Sequence, residues 1–74
     1  MSPLDLRGTG CPLNYVKTRV ALDAAPPGEA IEVWLDPGEA AENVPRSCVE
    51  DGFRVLAVEE SPGGYVRMLV SRPA

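Results

Sequence analysis

Apolar and polar residues alternate along Leu4-Asp5-Leu6-Arg7, the pattern of a short strand with one buried face, and Gly8 ends it. From Pro12 to about Ala25 the spacing becomes helical. Leu13, Val16, Val20 and Ala24 recur on one side as the expected inner face, with Lys17, Arg19 and Asp23 directed elsewhere. Pro26-Pro27-Gly28 stops this helix. Ile31, Val33 and Leu35 then alternate with Glu32 and Trp34, giving a second strand with two unlike faces. Trp34 falls on the face away from the aliphatics and is expected to pack against neighbouring strand residues on the open side of a sheet.

Asp36-Pro37-Gly38-Glu39 carries a helix-start signal, with Asp36 as the N-cap, Pro37 first in the helix and Glu39 completing a capping box. Ala40, Val44 and Cys48 fall on one stripe. Pro45 cannot donate a backbone bond, so the pattern predicts a short first turn and a helix restarted at Pro45, ending before Gly52. Phe53–Glu60 and Tyr65–Ser71 read as two strands of a hairpin joined by Ser61-Pro62-Gly63-Gly64. In the last strand Val66, Met68 and Val70 share one face and Tyr65, Arg67 and Leu69 the other, with Met68 expected as core filler. Arg72-Pro73-Ala74 is expected to fray. The order βαβαββ, with no internal repeat and no linker, predicts a single domain over residues 1–74. The fold class is an α+β two-layer sandwich, a mixed four-stranded sheet with both helices on one face.

Size and charge narrow what such a domain does. Seventy-four residues support only a small core. Eleven acids against seven bases, a net charge of −4, argue against direct nucleic-acid binding, which depends on clustered Lys and Arg. No stretch is long enough for a membrane span and no signal peptide is evident, so the expected setting is the cytoplasm, where thiols stay reduced. The chain has two cysteines and no histidine, which excludes an internal Cys/His zinc site or Cys-His catalytic pair. Neither a metal nor a cofactor is expected.

Cys11 remains as the reactive candidate. With Pro12 as the first helical residue, Cys11 takes the N-cap position, its sulfur within reach of the free N–H groups of Leu13 and Asn14 and at the positive end of the helix dipole. Such a setting favours thiolate over thiol. Gly8 and Gly10 leave the approach to the sulfur clear of side chains. A small buried hydrophobe is the other role open to a lone cysteine, and core packing is the role expected of Cys48. Arg7, Lys17 and Arg19 lie near Cys11 in sequence and are candidates for docking an acidic partner, against the plainer role of a solvated helix face.

These residues resemble the TusA-like (SirA-like) family of sulfur-carrier proteins. Leu4-Asp5-Leu6-Arg7-Gly8, Cys11-Pro12, Pro27-Gly28-Glu29, Asp36-Pro37 and Val44-Pro45 followed by Cys48 carry the likeness over nearly the whole chain. The resemblance implies a βαβαββ sandwich in which Cys11 holds sulfane sulfur as a persulfide. That sulfur would come from a cysteine desulfurase or rhodanese-type donor and pass to an acceptor protein, in transient complexes of a monomeric carrier. One departure stands out: the family motif is Cys-Pro-x-Pro, and here Asn14 takes the last position. An asparagine restores one backbone donor near the sulfur, so the Cys11 thiolate is expected to be at least as stabilised as with proline there. Two other functions fit the same residues, a protein-binding module acting through its surface and a thiol redox protein pairing Cys11 with Cys48.

Overall fold

The chain folds in the predicted order: β1 (Leu4–Asp5), α1 (Leu13–Ala24), β2 (Ala30–Leu35), α2 (Glu39–Glu50), β3 (Arg54–Glu60) and β4 (Val66–Ser71). The structure, a computed structural model, describes residues 3–73. The four strands form one sheet in the order β1-β2-β4-β3. β1 runs parallel to β2, with Leu4 opposite Val33, and β4 lies antiparallel between β2 and β3. The sheet is therefore mixed, as an α crossover followed by a hairpin requires.

Strand alternation places Ile31, Val33 and Leu35 of β2 on the same face as Val66, Met68 and Val70 of β4, and all six are buried. Leu22 of α1 and Val44 and Cys48 of α2 join them in one core, so both helices cover that face. Cys48 and Met68 are core residues, as expected. The open face carries Glu32, Trp34, Tyr65 and Arg67. The Trp34 and Tyr65 rings lie 4.6 Å apart, Trp34 Nε1 donates to Glu32 at 2.6 Å, and Arg67 pairs with Glu32 at 3.0 Å and Glu59 at 3.5 Å. Trp34 thus packs within the sheet's own open face.

The structure corrects the inner face of α1. Leu13, Val16 and Val20 are 57%, 49% and 64% exposed, and Ala24 is exposed as well. The buried side is Asn14, Thr18 and Leu22, continued by Ala25. Those positions also recur at helical spacing, and the Asn14 side-chain oxygen and the Thr18 hydroxyl are bonded locally. Asn14 Oδ1 accepts the Tyr15 N–H at 2.7 Å, and Thr18 Oγ1 donates to the Asn14 carbonyl at 2.9 Å. A polar residue whose bonds are met inside its own helix is buried without the usual penalty. Asn14, Thr18 and Leu22 face the core, leaving Leu13, Val16 and Val20 on the surface.

Three further expectations change. Asp36 does not cap α2, which begins at Glu39 after Gly38 (φ +96°) with no side-chain cap. Helix α2 is also continuous through Pro45 rather than restarted there. Proline in a helix interior costs about 3 kcal/mol, and the complete burial of Val44 and Cys48 beside it opposes that cost. Arg72 is not frayed: its carbonyl accepts the Gly28 N–H at 3.0 Å and its guanidinium donates to the Ala25 carbonyl at the end of α1. Ala74, in the same tail, lies outside the described residues.

Candidate functional site

The loop from Leu6 to Pro12 joins β1 to α1 and carries Cys11 at its far end. Its first half is tightly bonded. The Leu6 N–H donates to the Trp34 carbonyl at 2.9 Å, extending the strand ladder one residue past β1. The Arg7 N–H donates to the Asp5 carboxylate at 3.1 Å, the Gly8 N–H to Asp36 Oδ2 at 2.7 Å, and the Thr9 N–H to the Leu6 carbonyl at 3.0 Å. Four consecutive amides are therefore paired. Gly8 has a φ of +79°, a region that glycine occupies without steric cost.

Arg7 is held in place by its neighbours. Its guanidinium donates to both oxygens of Asp5, at 2.9 and 2.8 Å, and lies 4.9 Å from the Trp34 ring centre and 5.1 Å from that of Tyr65. These bonds hold the Asp5 carboxyl at about 2, below the usual carboxylate range, chiefly through the hydrogen bonds from Arg7. A cation bonded to a carboxylate and lying over two rings has most of its directions taken. Arg7 anchors the loop to the open face of the sheet.

Cys11 is exposed and its thiol is free. It is not the N-cap of α1. That position belongs to Pro12, joined to Cys11 by a cis peptide bond, and no side chain caps the helix. The Asn14 N–H donates to the Gly10 carbonyl at 3.1 Å, so the donor expected from asparagine is spent on the backbone, while the Asn14 side chain is buried beneath the helix. The N–H groups of Gly10, Cys11 and Leu13 find no acceptor among the described residues. Gly10 is exposed, and a Cβ there would meet nothing within 4 Å, so solvent reaches the loop beside the sulfur freely.

The basic residues of α1 separate into two roles. Arg19 pairs with Asp51 at 3.3 Å and lies 6.0 Å from the Phe53 ring centre, tying α1 to the end of α2. Tyr15 donates its hydroxyl to the same carboxylate, and burial together with that bond pushes its ionisation up to about 12. Lys17 is exposed and forms no ion pair among the described residues. Leu13, Val16 and Val20 then run up the outer side of α1 from a point two residues beyond Cys11, an apolar stripe that the periodicity had assigned to the core. Asp36 was the other role hidden in the sequence, where its Pro-Gly-Glu context reads as a helix cap.

The second thiol contrasts with the first. Cys48 is fully buried on α2, and desolvation, with a smaller contribution from the Asp51 charge, raises its ionisation to about 11. The sandwich thus presents one accessible thiol, on a strand-to-helix loop at its rim. This is the class of small α+β domains built around a single exposed cysteine.

Comparison with known proteins makes the class specific. Residues 3–72 match the family model described as Sulfurtransferase TusA. A candidate sulfur carrier protein of Thermotoga maritima is 42% identical over 57 residues, spanning 77% of this chain and 72% of that protein. One from Methanocaldococcus jannaschii is 38% identical over 65 residues, 88% of this chain and 87% of the other. The candidate carrier YedF of Escherichia coli K12 is 30% identical over 69 residues, 93% and 88%. The crystal structure of a SirA-like protein from Desulfitobacterium hafniense superposes with a TM-score of 0.82 over the full length of both chains at 19% identity, which establishes the shared fold. The chain belongs to the TusA family.

Proposed function

We propose that this protein relays sulfane sulfur as a persulfide on Cys11. The Cys11 thiolate attacks the outer sulfur of a donor persulfide, R–S–SH. The donor's S–S bond breaks, a new S–S bond forms on Cys11, and the donor leaves as the thiolate R–S⁻. The loaded Cys11–S–SH passes its outer sulfur to an acceptor thiolate by the same exchange, so neither step requires an external oxidant or reductant. The observation that carries this reading is a free, exposed thiol at the rim of a TusA-family fold whose other thiol is sealed in the core.

The surroundings support the role. The N–H groups of Gly10, Cys11 and Leu13, in the turn that carries the sulfur, are left unpaired among the described residues. A partner whose reactive sulfur comes within bonding distance of Cys11 also approaches the Leu13, Val16 and Val20 stripe and the unpaired Lys17, which favours a partner with an apolar contact and an acidic rim. The donor is of the cysteine desulfurase or rhodanese type and the acceptor another protein thiol. The test is sulfur uptake measured by intact mass after incubation with a cysteine desulfurase and cysteine, or with thiosulfate-loaded rhodanese. Wild type and Cys48→Ser gain about 32 Da, one sulfur atom, and Cys11→Ser does not. Equal uptake by Cys11→Ser, or none by wild type from either donor, overturns the proposal.

A further inference from the structure

Asp36 lies in the turn between β2 and α2, ahead of Pro37, Gly38 and Glu39, the arrangement of a helix cap. Its carboxylate makes no bond to α2. It reaches instead to a residue 28 positions earlier and accepts the Gly8 N–H at 2.7 Å, while Asp36 itself is half-buried. A bond of that length to an ionised acceptor is stronger than a neutral amide bond. With Gly38 in the N-cap position, two residues past Asp36, the first turn of α2 has no side-chain cap.

The place where this bond lands gives it a role. Between Arg7 and Cys11, the other backbone N–H partners are local: Arg7 bonds to Asp5 and Thr9 to Leu6. Asp36 supplies the one hydrogen bond to those loop amides from a distant part of the described chain. It acts on a glycine with a φ of +79°, and Gly10 follows two residues later. Glycines lose the most freedom on ordering and regain it most readily when a bond is removed. Beyond Gly10 the chain is fixed again by the Asn14 N–H bond to the Gly10 carbonyl and by α1. The path to Cys11 therefore has one anchor at Gly8 and another at the start of the helix.

We propose that Asp36 is a positioning residue for Cys11, accepting the Gly8 N–H to fix where the loop presents the sulfur to a partner. This rests on the relay reading above. Two cysteines in transfer must align within about 3.5 Å, and a displacement near 1 Å costs up to a hundredfold in rate. A pinned loop meets that demand without any contact between Asp36 and the sulfur.

The test compares Asp36→Ala with Asp36→Asn. Both remove the charge, and only asparagine keeps an oxygen able to accept from Gly8. Amide hydrogen exchange and ¹⁵N relaxation report the loop, and single-turnover sulfur uptake at saturating protein donor reports the chemistry. In Asp36→Ala the Gly8 amide exchanges faster, Thr9 to Cys11 gain nanosecond motion, and uptake slows by about tenfold or more. Asp36→Asn stays close to wild type in all three, and alkylation of Cys11 by iodoacetamide changes little in either variant. The proposal is overturned if the Asp36→Ala loop remains as ordered as wild type, if it loosens without slowing transfer, or if Asp36→Asn slows transfer equally while Gly8 stays protected. Should wild type take up no sulfur from any donor, the relay reading fails, while the exchange and relaxation data still decide whether Asp36 orders the loop.

Discussion

Adding charge along the outer side of α1 separates folding from docking. Val16 and Val20 are about half or more exposed, so Val16→Glu/Val20→Glu removes little core contact and is expected to change stability by at most about 1 kcal/mol, the sum of two ordinary surface substitutions. Leu22→Ala, two residues beyond Val20 but on the buried side, empties a fully enclosed site and is expected to cost about 2–5 kcal/mol. A domain of this length holds only about 4–11 kcal/mol in total, so the second change lowers the melting temperature by roughly 8 °C or more. The functional effect runs the other way. If a donor covers the exposed half of each valine, burial contributes on the order of 1 kcal/mol per side chain. Loss of both weakens the complex by about 2 kcal/mol, or roughly thirtyfold in Kd. Urea titration followed by far-UV circular dichroism measures the first quantity, and the donor-concentration dependence of sulfur uptake the second. A double-glutamate variant that unfolds as readily as Leu22→Ala refutes the observed orientation of α1, and one that binds donor as tightly as wild type refutes the docking role of the stripe.

Other outcomes follow from the titrating groups and the two thiols. In the native protein at neutral pH, one equivalent of iodoacetamide labels Cys11, and Cys48 reacts only after unfolding, as peptide mapping before and after urea will show. Because the Cys48 thiol is raised to about 11 and the Tyr15 phenol to about 12 in the fold, both contribute stability that is complete below their unfolded values near 8.5 and 10. That stability is lost progressively as pH rises from about 8.5 through 11 for Cys48 and from about 10 through 12 for Tyr15, and Tyr15→Phe removes the late ultraviolet phenolate transition assigned to this residue. The Asp5 carboxyl, held at about 2, should titrate there by NMR, with its bond to Arg7 intact at pH 4 and lost as pH falls through 2. Replacing Arg7 with Gln returns that midpoint towards the ordinary carboxylate range.

Element order, strand faces and the location of Cys48 were legible because each rests on a local pattern that the core enforces. Period-2 alternation in Ile31–Leu35 and Val66–Val70 has one answer once a face is buried. Helix α1 was misread because two stripes share the same helical spacing. Hydrophobicity favours Leu13, Val16 and Val20, whereas the fold buries Asn14 and Thr18, whose hydrogen bonds close within the helix where composition cannot reveal them. Pro45 was expected to break α2, a local preference that tertiary packing around Val44 and Cys48 overrides. Asp36 could not have been assigned from its neighbours, since its partner is 28 residues away. The Gly-x-Gly-Cys-Pro stretch singles out Cys11, which is exposed at the end of its loop, but does not reveal its local geometry: Pro12, not Cys11, occupies the N-cap.

The central claim is that transferable sulfur resides on the exposed thiol and nowhere else in the chain. Wild-type protein loaded by a persulfide donor, trapped with an alkylating reagent and digested under non-reducing conditions locates that atom directly by peptide mass. The account predicts an additional sulfur of about 32 Da on the peptide containing Cys11, discharged when an acceptor thiol is added, with the Cys48 peptide unmodified. Sulfur found on the Cys48 peptide, or a Cys11 peptide that never gains mass in the presence of an active donor, would contradict it.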